Sequence, residues 1–299
     1  MNDETKGAVM VMAAGGLWGT FGILTKTAYA MTTLGPISLA LYRLVFAIPI
    51  LGLLVVVKRH PISMTRRELL LFVGFGFCSI TVFEALYFTA FAFTTIQHAA
   101  ALLYTAPAFV AILSWLILKE PLTRMKTLAV VLSIAGAFLI MGITRSEPLF
   151  GSRTQLGDWL SVASGLAYSS WYIFGKLLGK NRNPAVTSFL GLSFGAAFLV
   201  PVVFAFEGLH IPASLVAWQL IAAVGIIPTA LAYLLYLAGL KRIEATKASV
   251  FAIMEPLTAA VLAFYFFQET LAYDSLLGFV LIISSILLIS TKIEKSLSS

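Results

Sequence analysis

Charge is scarce in this sequence. Asp, Glu, Lys and Arg make up 11% of its 299 residues, where a soluble domain carries roughly 25%. Cysteine occurs once, as Cys78, which excludes an intrachain disulfide framework and most metal–thiolate sites. Histidine occurs three times, too few to build a metal or nucleophile cluster with one thiol. Walker A, HExxH and GxSxG patterns are missing, so the common ATP, zincin and serine-hydrolase sites are excluded. No enzyme activity, metal or cofactor is expected. Without an ATP site, a secondary carrier or facilitator is favoured over a pump. No polar stretch is long enough to form a soluble domain.

What is present is apolar residues, at 60% of the chain, with a mean hydropathy of +0.97. A water-soluble fold of this length has no interior large enough to hide them, so lipid is the solvent for most of the surface. A helix crosses the hydrocarbon core in roughly 20 residues. Ten such spans are expected, at 7–29, 36–57, 69–92, 97–118, 126–143, 156–178, 185–206, 215–239, 245–267 and 273–291. The first is read as a span and not a cleaved leader, because Asp3 and Glu4 offset Lys6 and the apolar run is too long for an h-region. Lys and Arg sit in the short connections. With the N-terminus inside, the cytoplasmic side holds 16 of the 20 and the outside holds Lys26, Arg145 and Arg153, with Arg43 inside a helix. That bias puts both termini in the cytoplasm. It is also the pattern of orientation signals, so the net charge of +7 does not point to nucleic acid.

The chain repeats itself at an offset of 149 residues. Leu86, Tyr87, Ala99, Pro107, Glu120 and Leu122 fall on Leu235, Tyr236, Ala248, Pro256, Glu269 and Leu271 without a gap. Gly16-Leu17 falls on Gly165-Leu166. The boundary lies in the longest connection, between the fifth and sixth spans, giving halves 1–149 and 150–299. Five spans per half is odd, so the second half enters the bilayer upside down. Inverted repeats are an architecture of carriers, with the solute site at the repeat interface near the midplane. The expected fold is therefore all-α, with ten transmembrane helices as two inverted five-helix repeats.

Ionisable groups within the spans are candidates for that site, because each costs at least about 2.5–3.5 kcal/mol if it faces lipid at the centre. Glu255 sits mid-span beside Pro256, and Glu84 lies a turn outward in the third span, facing either the site or Arg43. Arg43 is read as a tie or an outer gate. His98 opens the fourth span near the outer interface. Lys247 opens the ninth, on one helical face with Phe251 and Glu255 by i+4 spacing. Glu120 and Glu269 read as capping or loop charges. Pro107 and Pro256 are expected to kink the fourth and ninth spans and free carbonyls there. Tyr and Trp normally gather at the interfaces, yet Trp18, Tyr87, Tyr104, Trp115, Tyr168, Trp171, Tyr172, Tyr233 and Tyr236 are expected near the midplane. There they suit an organic, partly apolar solute through stacking and cation–π contacts. Helix packing is the alternative for each. Small-residue faces at Gly15, Gly19 and Gly22, and at Ser161, Gly165 and Ser169, let helices approach closely.

The run Tyr87-Phe88-Thr89-Ala90, then Ala99 to Pro107, Leu118-Lys119-Glu120 and Gly136, resembles the EamA repeat of the drug/metabolite transporter superfamily. Arg43 matches that pattern. Ala232-Tyr233, Tyr236, Pro256 and Glu269 carry it in the second half, where Leu192 departs from the arginine. The resemblance covers essentially the whole chain, which looks most like the aromatic amino acid exporters of that superfamily. It implies export of aromatic and other largely neutral amino acids across the bacterial inner membrane by alternating access. The cavity it implies is central, built largely from spans 1, 3, 4, 6, 8 and 9. Substrate contacts are expected from Trp18, Glu84, Tyr87, His98, Tyr104, Tyr168, Trp171, Tyr233, Tyr236 and Glu255. Gating or coupling is expected from Arg43, Pro107, Lys247 and Pro256. Expected partners are a small solute and the bilayer; the sequence does not fix the oligomeric state, and a monomer is compatible with it. Exporters of cationic drugs or other small metabolites are the alternative within the superfamily.

Overall fold

Lipid cannot hydrogen-bond a backbone, so a spanning segment must satisfy its own N–H and C=O groups, and a helix does so within one segment. The computed structural model describes residues 2–30, 32, 34–142, 148–151, 153–208, 210–267 and 273–295. Every regular element among them is helical. In chain order these are α1 (Asp3–Gly19), α2 (Phe21–Ala30), α3 (Pro36–Val57), α4 (Arg66–Gly74), α5 (Phe83–Ala90), α6 (Ile96–Leu103), α7 (Ala106–Leu113), α8 (Arg124–Ile140), α9 (Gln155–Gly179), α10 (Pro184–Phe206), α11 (Leu215–Gly225), α12 (Ala232–Leu240), α13 (Ala245–Ala252), α14 (Met254–Phe267) and α15 (Tyr273–Lys295). Wider π-helical turns join α4 to α5 at Phe75–Val82, extend α7 at Ser114–Leu118 and join α11 to α12 at Ile226–Leu231.

Among the described residues, eight continuous stretches are long and apolar enough to cross a bilayer: Asp3–Ala28, Pro36–Val57, Arg66–Ala90, His98–Leu118, Pro184–Phe206, Leu215–Leu240, Ala245–Phe266 and Tyr273–Ser290. The expected spans 126–143 and 156–178 lie on α8 and α9. Helix α8 has 17 residues, about 25 Å at 1.5 Å per residue, which is short for the core of a bilayer. Helix α9 has 25 residues but carries a serine face. Ser161, Ser164 and Ser169 on that face are fully buried, so they meet protein and not lipid. Arg145, Glu269 and Leu271 lie outside the described residues.

The two halves interlock. Helix α1 packs on α12, α13 and α14, all from the second half, and α9 packs on α5, α6 and α7 of the first. Close approach needs small residues. A Cβ on Gly15 of α1 would come within 2.7 Å of the Ala252 carbonyl oxygen, and one on Gly165 of α9 within 3.3 Å of the Leu103 carbonyl oxygen. Those two oxygens are the acceptors that Pro256 and Pro107 leave without an i+4 donor. Correspondingly, the fourth span breaks between α6 and α7 and the ninth between α13 and α14, one turn before each proline. Around this crossed centre, α3 lies along α10 and α8 along α15.

Candidate functional site

Where α1 and α2, α3, α5, α6, α9, α12 and α14 converge, they enclose a cavity of about 130 Å³. An engineered cavity of about 150 Å³ holds benzene, so the space is that of one aryl ring. Its wall comprises Trp18, Phe21, Arg43, Phe83, Glu84, Tyr87, Phe88, Leu103, Tyr168, Tyr233 and Glu255. Six of these were expected as solute contacts from the sequence, and Arg43, expected as a tie or an outer gate, is on the wall and paired with Glu84. Phe21, Phe83, Phe88 and Leu103 were not expected.

Contacts between rings fix the aromatic wall. Trp18 meets Tyr233 edge-on at 5.8 Å between centroids, and Phe83 lies 5.7 Å from Tyr87 and 5.2 Å from Tyr168. Such pairs contribute about 0.5–1.5 kcal/mol beyond area burial. Trp171 and Tyr236 form a second layer. Trp171 lies 4.3 Å from Tyr233, Tyr236 lies 5.2 Å from Trp18, and both are buried behind the wall. Trp115, expected near the midplane, instead points away from the protein with 55% of its surface exposed. The π turn at Ser114–Leu118 carries it at the end of its span.

Three charged side chains share the wall, Arg43, Glu84 and Glu255. Arg43 Nη2 donates to Glu84 Oε1 in a buried ion pair, and the Tyr233 hydroxyl lies close enough to interact with the same guanidinium. Glu84 and Tyr233 are equivalent under the 149-residue offset, so one guanidinium serves both halves. Its carbon lies 5.3 Å from the Phe21 ring centroid, within cation–π range. The Glu255 carboxylate lies beside the Tyr104 hydroxyl. Tyr104 thus acts on the wall from outside it.

Other expected site residues lie elsewhere. His98 is fully buried, with Nδ1 3.5 Å from Asp158 Oδ1, so its ring lies between α6 and α9 and is not solvated. Asp158 also accepts from Thr94 Oγ1 at 2.7 Å and the Phe150 amide at 2.7 Å. Lys247 pairs with Glu4, at the end of the molecule where α1 begins, hereafter the near end. Lys247 stands on α13, which ends at Ala252, whereas Glu255 is on α14, beyond the break at Ile253. Glu120 is a cap, but for a helix far along the chain: its oxygens accept from the Ala245 amide at 2.8 Å and the Thr246 amide at 3.3 Å, at the start of α13. Pro107 and Pro256 sit just past the helix breaks and off the cavity wall.

A multi-pass helical membrane protein with crossed halves and a central aromatic cavity is built as a transporter of small molecules. A model of the EamA-like transporter family matches residues 5–142 and 155–291, and the chain belongs to that family. An uncharacterized transporter of Archaeoglobus fulgidus is 27% identical over 161 residues; the match spans 54% of this chain and 55% of the length of that one. An uncharacterized inner membrane transporter of Salmonella typhimurium, YicL, is 27% identical over 309 aligned positions covering 97% of both chains. A crystal structure at 17% identity superposes with a TM-score of 0.83 over 99% of each chain, which establishes the fold alone.

Proposed function

We infer that the protein is a secondary carrier that exports aromatic and other largely neutral amino acids across the bacterial inner membrane by alternating access. The observation that carries this reading is an aryl-sized cavity whose wall holds both a carboxylate outside any guanidinium pair, Glu255, and the Arg43–Glu84 pair. The solute's ring lies among Trp18, Phe83, Tyr168 and Tyr233. Its ammonium meets Glu255, the wall carboxylate that is not paired with a guanidinium. Ten spans, cytoplasmic termini and inverted halves at 1–149 and 150–299 complete the reading. The matched helix breaks before Pro107 and Pro256 support it, as does the 16-to-3 distribution of Lys and Arg.

One second reading has its own observation. The wall carries two carboxylates and one guanidinium, a balance that suits an aromatic or lipophilic cation. Proteoliposomes preloaded with unlabelled solute separate the two readings. Labelled phenylalanine and tryptophan are expected to enter saturably by counterflow, with a labelled quaternary ammonium dye entering poorly, and Glu255→Gln is expected to reduce the amino acid signal at least tenfold. Uptake of the dye alone would move the assignment to cations. Folded protein that gives no uptake above empty liposomes would remove both.

A further inference from the structure

A neutral amino acid brings a carboxylate as well as an ammonium, and the cavity has one cation for it. Arg43 is the only basic side chain on the described wall, and Glu84 already occupies it. The occupation is incomplete. The contact runs through a single nitrogen and a single oxygen, and the buried Arg43 Nε has no hydrogen-bond partner among the described residues. A guanidinium offers five N–H donors and commonly takes a carboxylate on two of them. Glu84 is 3% exposed and Arg43 is 6% exposed, so neither has bulk water to fall back on. The charged and titratable groups that share the wall with Glu84 are Arg43 from α3, Tyr233 from α12, Tyr168 from α9, Glu255 from α14 and Tyr87 from its own helix. Arg43 is the one that offsets its charge.

We propose that Glu84 is a built-in stand-in for the solute's carboxylate, displaced from Arg43 when an amino acid binds and protonated as it leaves. This rests on the amino acid reading above. The step balances. The empty wall holds the charges of Arg43, Glu84 and Glu255, which sum to minus one when both acids are ionised. Solute carboxylate then pairs with Arg43, solute ammonium pairs with Glu255, and Glu84 takes one proton from water, because a buried carboxylate without a partner is far costlier charged than neutral. Each amino acid that binds therefore brings one proton with it. A solute lacking the carboxylate leaves the Arg43–Glu84 pair untouched and brings no proton to Glu84. Glu84 is thus a positioning and specificity residue, holding the guanidinium oriented while the site is empty.

Calorimetry in buffers of different ionisation enthalpy counts protons taken up on binding, and phenylalanine and phenethylamine differ only by the carboxylate. Any proton that Glu255 loses to an incoming ammonium appears with both ligands and cancels in the comparison. For the wild-type protein, phenylalanine is expected to take up one proton more than phenethylamine. Its Kd, relative to that of phenethylamine, should weaken about tenfold per pH unit once Glu84 is ionised in the empty protein. In Glu84→Gln the difference is expected to vanish, while phenylalanine binds at least as tightly because its competitor is gone. Equal proton counts for the two ligands in the wild type would overturn the proposal, and that comparison stands even if the variant fails to fold. A Glu84→Gln protein that binds phenylalanine more weakly with the difference intact would reduce Glu84 to a structural tie. Binding of phenethylamine without phenylalanine would instead overturn the amino acid reading, and this proposal with it.

Discussion

Residues that contrast with a hydrocarbon background are the ones a sequence reveals. Arg43, Glu84 and Glu255 stand out because their burial must be compensated, and all three line the cavity. Phe21, Phe83, Phe88 and Leu103 line it equally, but among 23 phenylalanines nothing sets the wall-forming ones apart. His98 and Lys247 were conspicuous for the same reason as Glu255, yet His98 lies against Asp158 and Lys247 pairs with Glu4, both off the cavity wall. Sequence contrast therefore marks a buried charge without telling a ligand from a brace. Tyr236 was selected for its mid-span aromatic ring, and the ring is indeed packed on Trp18 and Tyr172. Its hydroxyl, however, is buried with no hydrogen-bond partner among the described residues. An unsatisfied buried polar group costs about 1–3 kcal/mol. Tyr236→Phe is thus expected to leave the melting temperature in detergent unchanged or higher, with transport retained. A fall of several degrees would mean that the hydroxyl has a partner in the folded protein after all.

At the scale of elements, the proline breaks were legible because proline's effect is local and fixed: it removes a donor and collides with the carbonyl four residues back. The π-helical turns were not legible, since no residue type demands one. Their trace was nonetheless present in the repeat. Gly76 and Gly225 are 149 apart, one inside the turn Phe75–Val82 and the other just before Ile226–Leu231. Both sit where a neighbouring helix comes close. A Cβ on Gly76 would lie 2.6 Å from backbone atoms of Phe194 and Gly195 in α10, and one on Gly225 2.8 Å from the Arg43 carbonyl oxygen in α3. The wider turns are held by threonine hydroxyls that donate five residues back, Thr81 to Gly76 and Thr229 to Val224. Overpacking of this kind typically costs about 1–3 kcal/mol. Gly76→Ala and Gly225→Ala are each expected to lower the melting temperature by several degrees. Gly22→Ala, where nothing lies within 4 Å of the added carbon, is the matched control and should not. Gly225→Ala should also weaken solute binding, because it pushes on the backbone that carries Arg43.

Across the whole molecule, the repeat was readable but the crossing of its halves was not, because an offset says which residues correspond and not which ones touch. The crossing gives each half a hold on the other. At the near end, the turn between α12 and α13 is gripped from several helices. Lys176 of α9 donates to the carbonyls of Leu240, at 2.9 Å, and Ile243. Lys126 of α8 pairs with Glu244 at 2.8 Å, Glu4 of α1 holds Lys247, and Glu120 caps the start of α13. The corresponding turn in the first half, at the other end, is held through Thr94 by Asp158. Under the alternating access proposed above, the near-end grip breaks while the far end closes, and the grip then sets how often the near end opens. Charge-assisted hydrogen bonds contribute about 1.5–3 kcal/mol, and 1.4 kcal/mol is a factor of ten in an equilibrium. Ser249 on α13 is 1% exposed beneath this network, and in a Cys78→Ser background a Ser249→Cys thiol reports its opening to a maleimide added from the near side. Labelling is expected to be slow with the grip intact and at least tenfold faster with Glu120→Ala or Lys176→Met, since modification of a transiently opened site follows its population when opening is fast. Saturating amino acid should also change the rate, through the cavity, in the protein with the grip intact. Labelling unaffected by either substitution or by solute would mean that α13 does not move away from α1, and the near-end gate would have to be sought between other helices.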